Sequence, residues 1–152
     1  MVIYYDPPGS EPEIQAWLGN VPSDRIPQPK GDLGTRLRSG FRWGFNEGNL
    51  VCAVGTDIPE LDRGMVEEAF SSLSDPGGPD IVVGPAFDGG YYLLGLRRPT
   101  PDLFERIPWS TEGVLDTTIA RAARLGLTVA SLPPLADVDR VEDLPAEFRS
   151  PR

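Results

Sequence analysis

Short apolar runs alternate along this chain with stretches whose apolar residues have helical spacing. The runs are rich in β-branched or aromatic residues and are bounded by Gly, Pro or Asp, so each one predicts a strand. We predict five strands, at Val2–Tyr5, Leu50–Val54, Ile81–Val83, Tyr91–Leu96 and Leu127–Leu132. Continuous apolar strands that alternate with helices are typical of a mostly parallel sheet covered on both faces. The sequence therefore predicts an α/β fold, arranged as a three-layer α/β/α sandwich.

The helical patterns each place one apolar stripe against that sheet. They lie at Leu33–Phe45, Val66–Leu73 and Val114–Ala123, with shorter helices predicted at Glu13–Leu18 and Val141–Phe148. Asp32 is the predicted N-cap of the first pattern. Ser110 or Thr111 is the predicted N-cap of the third pattern, and Gly126 is its predicted C-terminal stop.

One connection departs from this alternation. Pro85–Gly90 is too short for a helical crossover, so the strands on either side of it are predicted to be antiparallel or splayed, and the sheet to be mixed. The least regular parts are Pro7–Pro29 and the tail from Arg140. Because no repeat and no interdomain linker interrupts the pattern, we interpret residues 1–152 as a single domain.

Composition excludes several classes of protein. The chain has 14 basic and 23 acidic residues and a net charge of −9, which argues against a nucleic-acid or anionic-membrane partner. It has no histidine and one cysteine, Cys52, which excludes His-dependent triads, His- or Cys-cluster zinc sites and internal disulfides. Lys30 is the only lysine and belongs to no Gly-Lys-Ser/Thr phosphate loop. With no apolar stretch that could cross a bilayer and no signal-peptide pattern, a cytoplasmic protein is expected.

Carboxylates follow two of the predicted strands. Asp57 comes directly after a buried strand, at an edge where ligands bind in open α/β sheets. A carboxylate there can hold a hard divalent cation that bridges a diphosphate. Asp137 and Asp139 follow the last strand and would complete such a site if the segment is extended, since alternation then points both to one side. A turn cap explains Asp57 equally well, and a solvated acidic loop is the commoner explanation of the other two.

The loop after the third strand is rich in glycine. Asp88 could accept hydrogen bonds from sugar hydroxyls, and Gly89 and Gly90 would allow the backbone to approach a ligand closely. An ordinary Asp-Gly turn explains the same residues.

Polar residues also precede two of the predicted helices. A planar base could lie against Gln28, Gly31 and Gly34, which precede or begin the first predicted helix. Arg36 is a weaker candidate for contact with a phosphate or a base. A capped helix N-terminus explains most of the same residues. Before the third predicted helix, an anion could bind to the aromatic face and the two hydroxyls of Trp109, Ser110 and Thr111. Core packing is the alternative role for Trp109.

Several of these segments occur together in an order that resembles a known family. They are Gly55–Pro59, Gly84–Gly95, Ile107–Thr111, Asp137–Asp139 and Glu142–Leu144. In this arrangement the chain resembles, over nearly its whole length, a bacterial family of GT-A-like glycosyltransferases related to the nucleotidyltransferases of sugar and cofactor synthesis. The resemblance implies a Rossmann-like, nucleotide-diphosphosugar-transferase fold. It also implies that Asp57 binds the metal, that Asp139 is a second ligand, and that Gln28 with residues 31–34 reads the nucleobase.

The chain departs from that family at its start. Family members begin with a strand and a glycine-containing loop, bearing a Lys-Thr-Arg-Leu signature, that cradles the nucleotide phosphates, whereas this sequence begins at what resembles their second strand. The first strand is normally central in the sheet, and each buried backbone group left without a partner costs about 1–3 kcal/mol. We therefore expect Val2–Tyr5 to shift into the vacancy or two chains to pair along it as a homo-oligomer. A start codon assigned too late, or a truncated chain, explains the departure equally well.

These observations predict a metal-dependent glycosyltransferase that binds a nucleotide or nucleotide-sugar. Asp57 and Asp139 would hold Mg²⁺ or Mn²⁺ on the diphosphate, and Asp88 would orient the sugar or act as a base toward an acceptor hydroxyl. Nucleotidyl transfer is one alternative, because it uses the same ion and a bound diphosphate. A degenerate, non-catalytic binding or oligomerisation module is the other, since the phosphate loop is absent.

Overall fold

The computed structural model describes residues 1–48, 50–138, 140 and 144. The strands are β1 (Val2–Tyr5), β2 (Asp24–Pro27), β3 (Val51–Val54), β4 (Ile81–Pro85), β5 (Tyr91–Leu96) and β6 (Val129–Ser131). The helices are α1 (Glu11–Leu18), α2 (Leu33–Glu47), α3 (Arg63–Ser74) and α4 (Val114–Arg124), with a 3-10 turn at Pro101–Phe104. The helix predicted at Val141–Phe148 lies outside the described residues. Every helix in the described part of the chain is too short or too polar to span a lipid bilayer.

Four strands form a mixed sheet in the order β3-β5-β4-β6. Strand β5 is antiparallel to both β3 and β4, and β4 is parallel to β6. The short link between β4 and β5 therefore makes the antiparallel pair that its length predicts. The predictions of an α/β fold and a mixed sheet are confirmed.

Each face of this sheet buries an apolar cluster. Alternation along β4 and β5 sends Val82 and Leu93 into a cluster with Leu73 of α3, on one face. On the other face, Ile81 and Leu94 pack with side chains of α2, α4 and the 3-10 turn. Burying each such aliphatic side chain stabilises the fold by about 1.5–3 kcal/mol. These clusters fix the ends of β3, β4 and β5, and so the loops that follow them.

Strand β2 was not predicted, because Asp24–Pro27 falls inside the Pro7–Pro29 segment that we expected to be irregular. Its sequence, Asp-Arg-Ile-Pro, has a single aliphatic residue and no alternation that would mark a strand. It is stabilised instead by parallel pairing with β1, with Val2 opposite Asp24 and Tyr5 opposite Pro27. Strand β6 is also shorter than predicted, because the Leu127 N–H bonds the end of α4 and Thr128 binds Asp80.

Helix α2 contacts both sheets. Gly40 lies against the ring of Tyr4 on β1, and one turn later Gly44 lies against Val51 on β3. Among the described residues, β1 pairs only with β2 and β3 pairs only with β5. The expectation that Val2–Tyr5 shifts into the vacancy in the main sheet is therefore wrong, because the strand is held by β2. One edge of β3 lacks a strand partner within the described chain, and pairing of two chains along it remains a proposal.

A proline substitution tests that proposal. The Gly55 N–H donates to the Tyr92 carbonyl, so alternation points the Ala53 N–H toward β5 and the Val54 N–H toward the open edge. If two chains pair along β3, we expect Val54→Pro to convert the dimer to a monomer with little change in the thermal midpoint of unfolding, as measured by light scattering and calorimetry. The matched Ala53→Pro substitution should instead destabilise the fold, because it removes a bond to β5. A wild-type protein that is monomeric at all concentrations would refute the pairing.

Cys52 provides a test of the core around β3. Its thiol is shielded on the α3 side of the sheet, and burial raises its pKa to about 12. An unfolded thiol has a pKa of about 8.5, so we expect a thiol reagent at pH 8 to label the native protein roughly a thousandfold more slowly than the urea-unfolded protein. Because the chain has one cysteine, the label reports this site alone. Equal rates would show that β3 is not covered as described.

Candidate functional site

A cavity of about 940 Å³ opens where the loops after β3 and β4 meet the turn before α4. Its lining includes Leu33, Asp57, Ile58, Ala86, Asp88, Gly90, Tyr91, Tyr92, Ser110, Thr111, Glu112, Gly113, Val114 and Asp137. The predicted site residues that it brings together are Asp57, Asp88, Gly90, Ser110 and Thr111. These positions span more than fifty residues of sequence, so the fold rather than local sequence places them around one space.

Asp57 is held at the carboxyl end of β3 by two backbone hydrogen bonds. The Gly55 N–H donates to the Tyr92 carbonyl at 2.8 Å, and the Val138 N–H donates to the Asp57 carbonyl at 2.9 Å. The Asp57 side chain folds back over Gly55, since a Cβ at position 55 would lie 2.7 Å from Asp57 Oδ1. The first bond fixes the loop to β5, and the second fixes it to the segment that carries Asp137.

Asp137 reaches the cavity because the chain continues alongside β4 after β6 ends. The Leu132 N–H donates to the Val83 carbonyl, and the Leu135 N–H donates to the Pro85 carbonyl. Asp137 was considered with Asp139 from the sequence, and the described structure places Asp137 in the cavity lining. Asp139 lies outside the described residues.

Asp88 combines a structural contact with exposure to the cavity. Its Oδ1 accepts the Gly90 N–H at 2.8 Å, which is the Asp-Gly turn that the sequence also suggested. Among the described residues, Oδ2 has no hydrogen-bond partner. The turn therefore orients the carboxylate and leaves one oxygen for a ligand.

Gly89 joins this loop to the start of α4. Its φ is +88°, and its carbonyl accepts the Leu115 N–H at 2.9 Å. A Cβ at position 89 would overlap the carbonyl group of Glu112. Gly89 is absent from the cavity lining, and its role is to let the two loops approach each other.

The predicted N-cap of α4 is wrong. The helix begins at Val114 with Gly113 as its N-cap, and Ser110 has a left-handed φ of 62° that the extended N-cap conformation does not allow. The Thr111 hydroxyl donates to the Pro108 carbonyl at 2.7 Å, which keeps residues 110–113 in a turn that faces the cavity. Gly126, with φ +70°, follows the helix as predicted.

Gln28, Gly31 and Arg36 do not line the cavity. Arg36 Nη1 donates to Gln28 Oε1 and to Asp6 Oδ2, both at 3.0 Å, and its Nε donates to the Gly31 carbonyl at 3.2 Å. Gln28 Nε2 donates to the Tyr4 carbonyl at 2.8 Å. The described contacts of these side chains thus attach the loop before α2 to the end of β1.

Gly34 and Trp109 also lie outside the large cavity. The Trp109 indole covers Gly34 so closely that a Cβ there would overlap the ring, and Trp109 packs against the core cluster that contains Phe41. This is the core packing that was the alternative for Trp109. Asp32 caps α2 as predicted, since it accepts the Thr35 N–H at 2.8 Å and the Thr35 hydroxyl at 2.7 Å, and these bonds lower the pKa of Asp32.

Two lining residues that sequence reasoning missed are Tyr91 and Glu112. Burial raises the pKa of Tyr91 to about 12, with the Thr118 hydroxyl opposing that shift, so the phenol is neutral near pH 7. Glu112 directly follows the Trp-Ser-Thr segment, and that adjacency was the available signal. Tyr91 looked like an ordinary strand residue and carried no signal.

The large cavity is acidic. Its lining includes Asp57, Asp88, Glu112 and Asp137, and none of its described lining residues is Arg or Lys. Within the described chain, no three His, Cys, Asp or Glu side chains are close enough together to hold a metal ion. Mg²⁺ in nucleotide enzymes is commonly held by one or two carboxylates together with substrate phosphates and water. Asp57 and Asp137 are two carboxylates in the lining of one cavity, which is the kind of side chain that such a site uses.

Comparisons with known proteins identify a family and a similar structure. Residues 1–111 match a family described as "Uncharacterized protein conserved in bacteria (DUF2064)". The crystal structure of a "putative nucleotide-diphospho-sugar transferase" from Desulfovibrio desulfuricans G20 is similar to this chain, with a TM-score of 0.82 and 35% sequence identity. The match covers 92% of this chain and 61% of that one, so this chain spans less than two thirds of that protein's length. None of the curated proteins matches the sequence.

Proposed function

The chain belongs to the bacterial DUF2064 family, and from that premise we propose that it is a metal-dependent glycosyltransferase acting on a nucleotide-activated sugar. The observation that carries the proposal is the cavity at the strand ends, which gathers Asp57, Asp88 and Asp137. Similarity to a protein named for nucleotide-diphospho-sugar transfer supports it. We also propose that the complete architecture is the three-layer, Rossmann-like sandwich of GT-A proteins, with α3 on one side of the sheet and α2 and α4 on the other.

Asp57 is the proposed principal ligand of Mg²⁺ or Mn²⁺, with Asp137 beside it and Asp139 retained from the sequence prediction. When bound, the ion neutralises the charge that develops on the diphosphate leaving group. In an acidic cavity this neutralisation is needed before a diphosphate can enter, because the lining carboxylates repel it. Binding of nucleotide-sugar and of metal should therefore be mutually dependent.

Asp88 and Ser110 are the proposed contacts of the sugar and the acceptor. The Gly90 N–H orients the Asp88 carboxylate, so Oδ2 can accept a hydrogen bond from a hydroxyl or take its proton. The Ser110 hydroxyl has no hydrogen-bond partner among the described residues, whereas the Thr111 hydroxyl is bonded to Pro108. Ser110 is thus the better placed of the two hydroxyls to bind a ligand.

Calorimetry with a panel of nucleoside diphosphates and nucleotide-sugars tests the proposal. We expect at least one nucleotide-sugar to bind in the presence of Mn²⁺ and binding to be lost when EDTA is added. If a nucleotide-sugar bound equally well in EDTA, the proposed role of the metal would be wrong. If nothing in the panel bound, the proposed function would be wrong.

Nucleotidyl transfer remains the second candidate, because the acidic lining suits either reaction of a metal-bound phosphate. Incubation with a nucleoside triphosphate and a sugar phosphate separates the two, since only nucleotidyl transfer releases pyrophosphate. A non-catalytic binding module, which the sequence also left open, is the remaining alternative. Metal-dependent binding with neither reaction would support that module.

A further inference from the structure

A second cavity, of about 400 Å³, lies between the start of α2 and the segment that follows the 3-10 turn. Leu33 and Gly34 are consecutive residues that line one cavity each, and the Trp109 indole lies against Gly34. The segment 106–110 borders both spaces, with Arg106 in the lining of the smaller and Ser110 in the lining of the larger. Both of these residues have left-handed backbone conformations, with φ 58° and 62°.

The charges of the smaller cavity differ from those of the larger one. Its lining contains two acidic residues, Asp32 and Glu105, and two arginines, Arg38 and Arg106. Asp32 caps α2 through Thr35, and Glu105 pairs with Arg121 at 3.1 Å. Both carboxylates are thus already engaged with partners in the fold.

The two arginines are not engaged in this way. Arg38 lies close enough to Asp32 to contribute to lowering the pKa of that carboxyl, yet within the described chain neither Arg38 nor Arg106 forms an ion pair. Guanidinium groups are the side chains best suited to bind phosphate oxygens, often through two hydrogen bonds each. The buried ring of Phe104 also lines the cavity and limits solvation on that side.

We propose that Arg38 and Arg106 bind the phosphate group of a phosphorylated ligand in the smaller cavity. The larger, acidic cavity offers no cationic side chain among its described lining residues, so the arginine pair is the more favourable place for an anion that no metal neutralises. Two sources share this chemistry: a phosphate of the nucleotide and a phosphate on the acceptor. Assigning either source rests on the proposed function, whereas phosphate binding itself does not.

Titration with inorganic phosphate in metal-free buffer, followed by calorimetry, tests the site. We expect Arg38→Gln and Arg106→Gln each to weaken binding by about tenfold, because each removes a charged hydrogen-bond donor. Arg42→Gln is the matched control, since Arg42 is an exposed residue of the same helix that lines neither cavity. Its affinity should stay within about twofold of wild type. Thermal unfolding of each variant checks that the fold is retained.

Competition then separates the two sources. If a nucleotide-sugar displaces inorganic phosphate, the site holds a donor phosphate; if a sugar phosphate displaces it while the nucleotide-sugar binds alongside, the site holds an acceptor phosphate. Absence of phosphate binding in the folded wild type, or equal weakening in Arg42→Gln, would overturn the proposal. Asp57→Asn should leave the affinity for inorganic phosphate unchanged. The proposal of a phosphate site at the two arginines is therefore tested separately from the proposed metal-dependent function.

Discussion

Asp57→Asn should lower the affinity for a nucleotide-sugar in the presence of Mn²⁺ by about a hundredfold, because an amide cannot replace the charge of a metal-binding carboxylate. The substitution keeps the shape of the side chain, and the Val138 N–H bond is made to the Asp57 main-chain carbonyl, so the fold should be retained. Calorimetric titration with and without Mn²⁺ measures the effect.

Glu60→Gln is the control for that experiment. Glu60 is exposed, lies three residues from Asp57 and is not among the residues that line the cavity, so the substitution removes the same charge without touching the site. Its affinity should match that of wild type. If Asp57→Asn binds as tightly as Glu60→Gln, the proposed role of Asp57 is wrong and the binding-module alternative gains support.

Gly89→Ala should reduce the free energy of unfolding by about 3 kcal/mol and abolish ligand binding. The added methyl group meets the Glu112 carbonyl, and φ at position 89 is +88°, so a backbone clash and an unfavourable conformation act together. Relief requires the loop after β4 to separate from the start of α4, which would move Asp88 away from Ser110. Urea unfolding followed by circular dichroism gives the stability change.

Gly126→Ala isolates the conformational part of that cost. Gly126 also has a positive φ, +70°, but a Cβ there would have no neighbour within 4 Å. We expect a loss of about 1 kcal/mol and unaltered ligand binding. Similar losses for the two variants would mean that Gly89 does not hold the loops together.

Local sequence signals were enough to predict the helices and strands that have strong apolar patterns. The runs Val2–Tyr5 and Tyr91–Leu96 are strands with the predicted bounds, and α2 begins after its predicted cap, Asp32. Strand β2 had no such pattern because its stability comes from pairing with β1. The start of α4 was misplaced because residues 110–113 form a turn, held by the bond from the Thr111 hydroxyl to the Pro108 carbonyl, before the helix begins at Val114.

The site was predictable where it follows from strand direction. Asp57 and Asp88 stand at the ends of β3 and β4, and strands that run the same way bring their following loops to one edge. Gln28 and Arg36 were harder to interpret, because their hydrogen-bond partners are distant in sequence. Gln28 binds Tyr4, 24 residues away, and Arg36 binds Asp6, 30 residues away. A polar residue before a helix gives no local sign of whether it faces a ligand or the protein itself.

The central claim is that Asp57 marks a metal-dependent nucleotide-sugar site in the large cavity. A crystal grown with Mn²⁺ and the tightest-binding nucleotide-sugar tests it most directly, because anomalous scattering locates the ion. We predict a manganese peak coordinated by the Asp57 carboxylate and the diphosphate, with the sugar beside Asp88. A nucleotide-sugar bound elsewhere, or bound in the cavity with no metal at Asp57, would contradict the account.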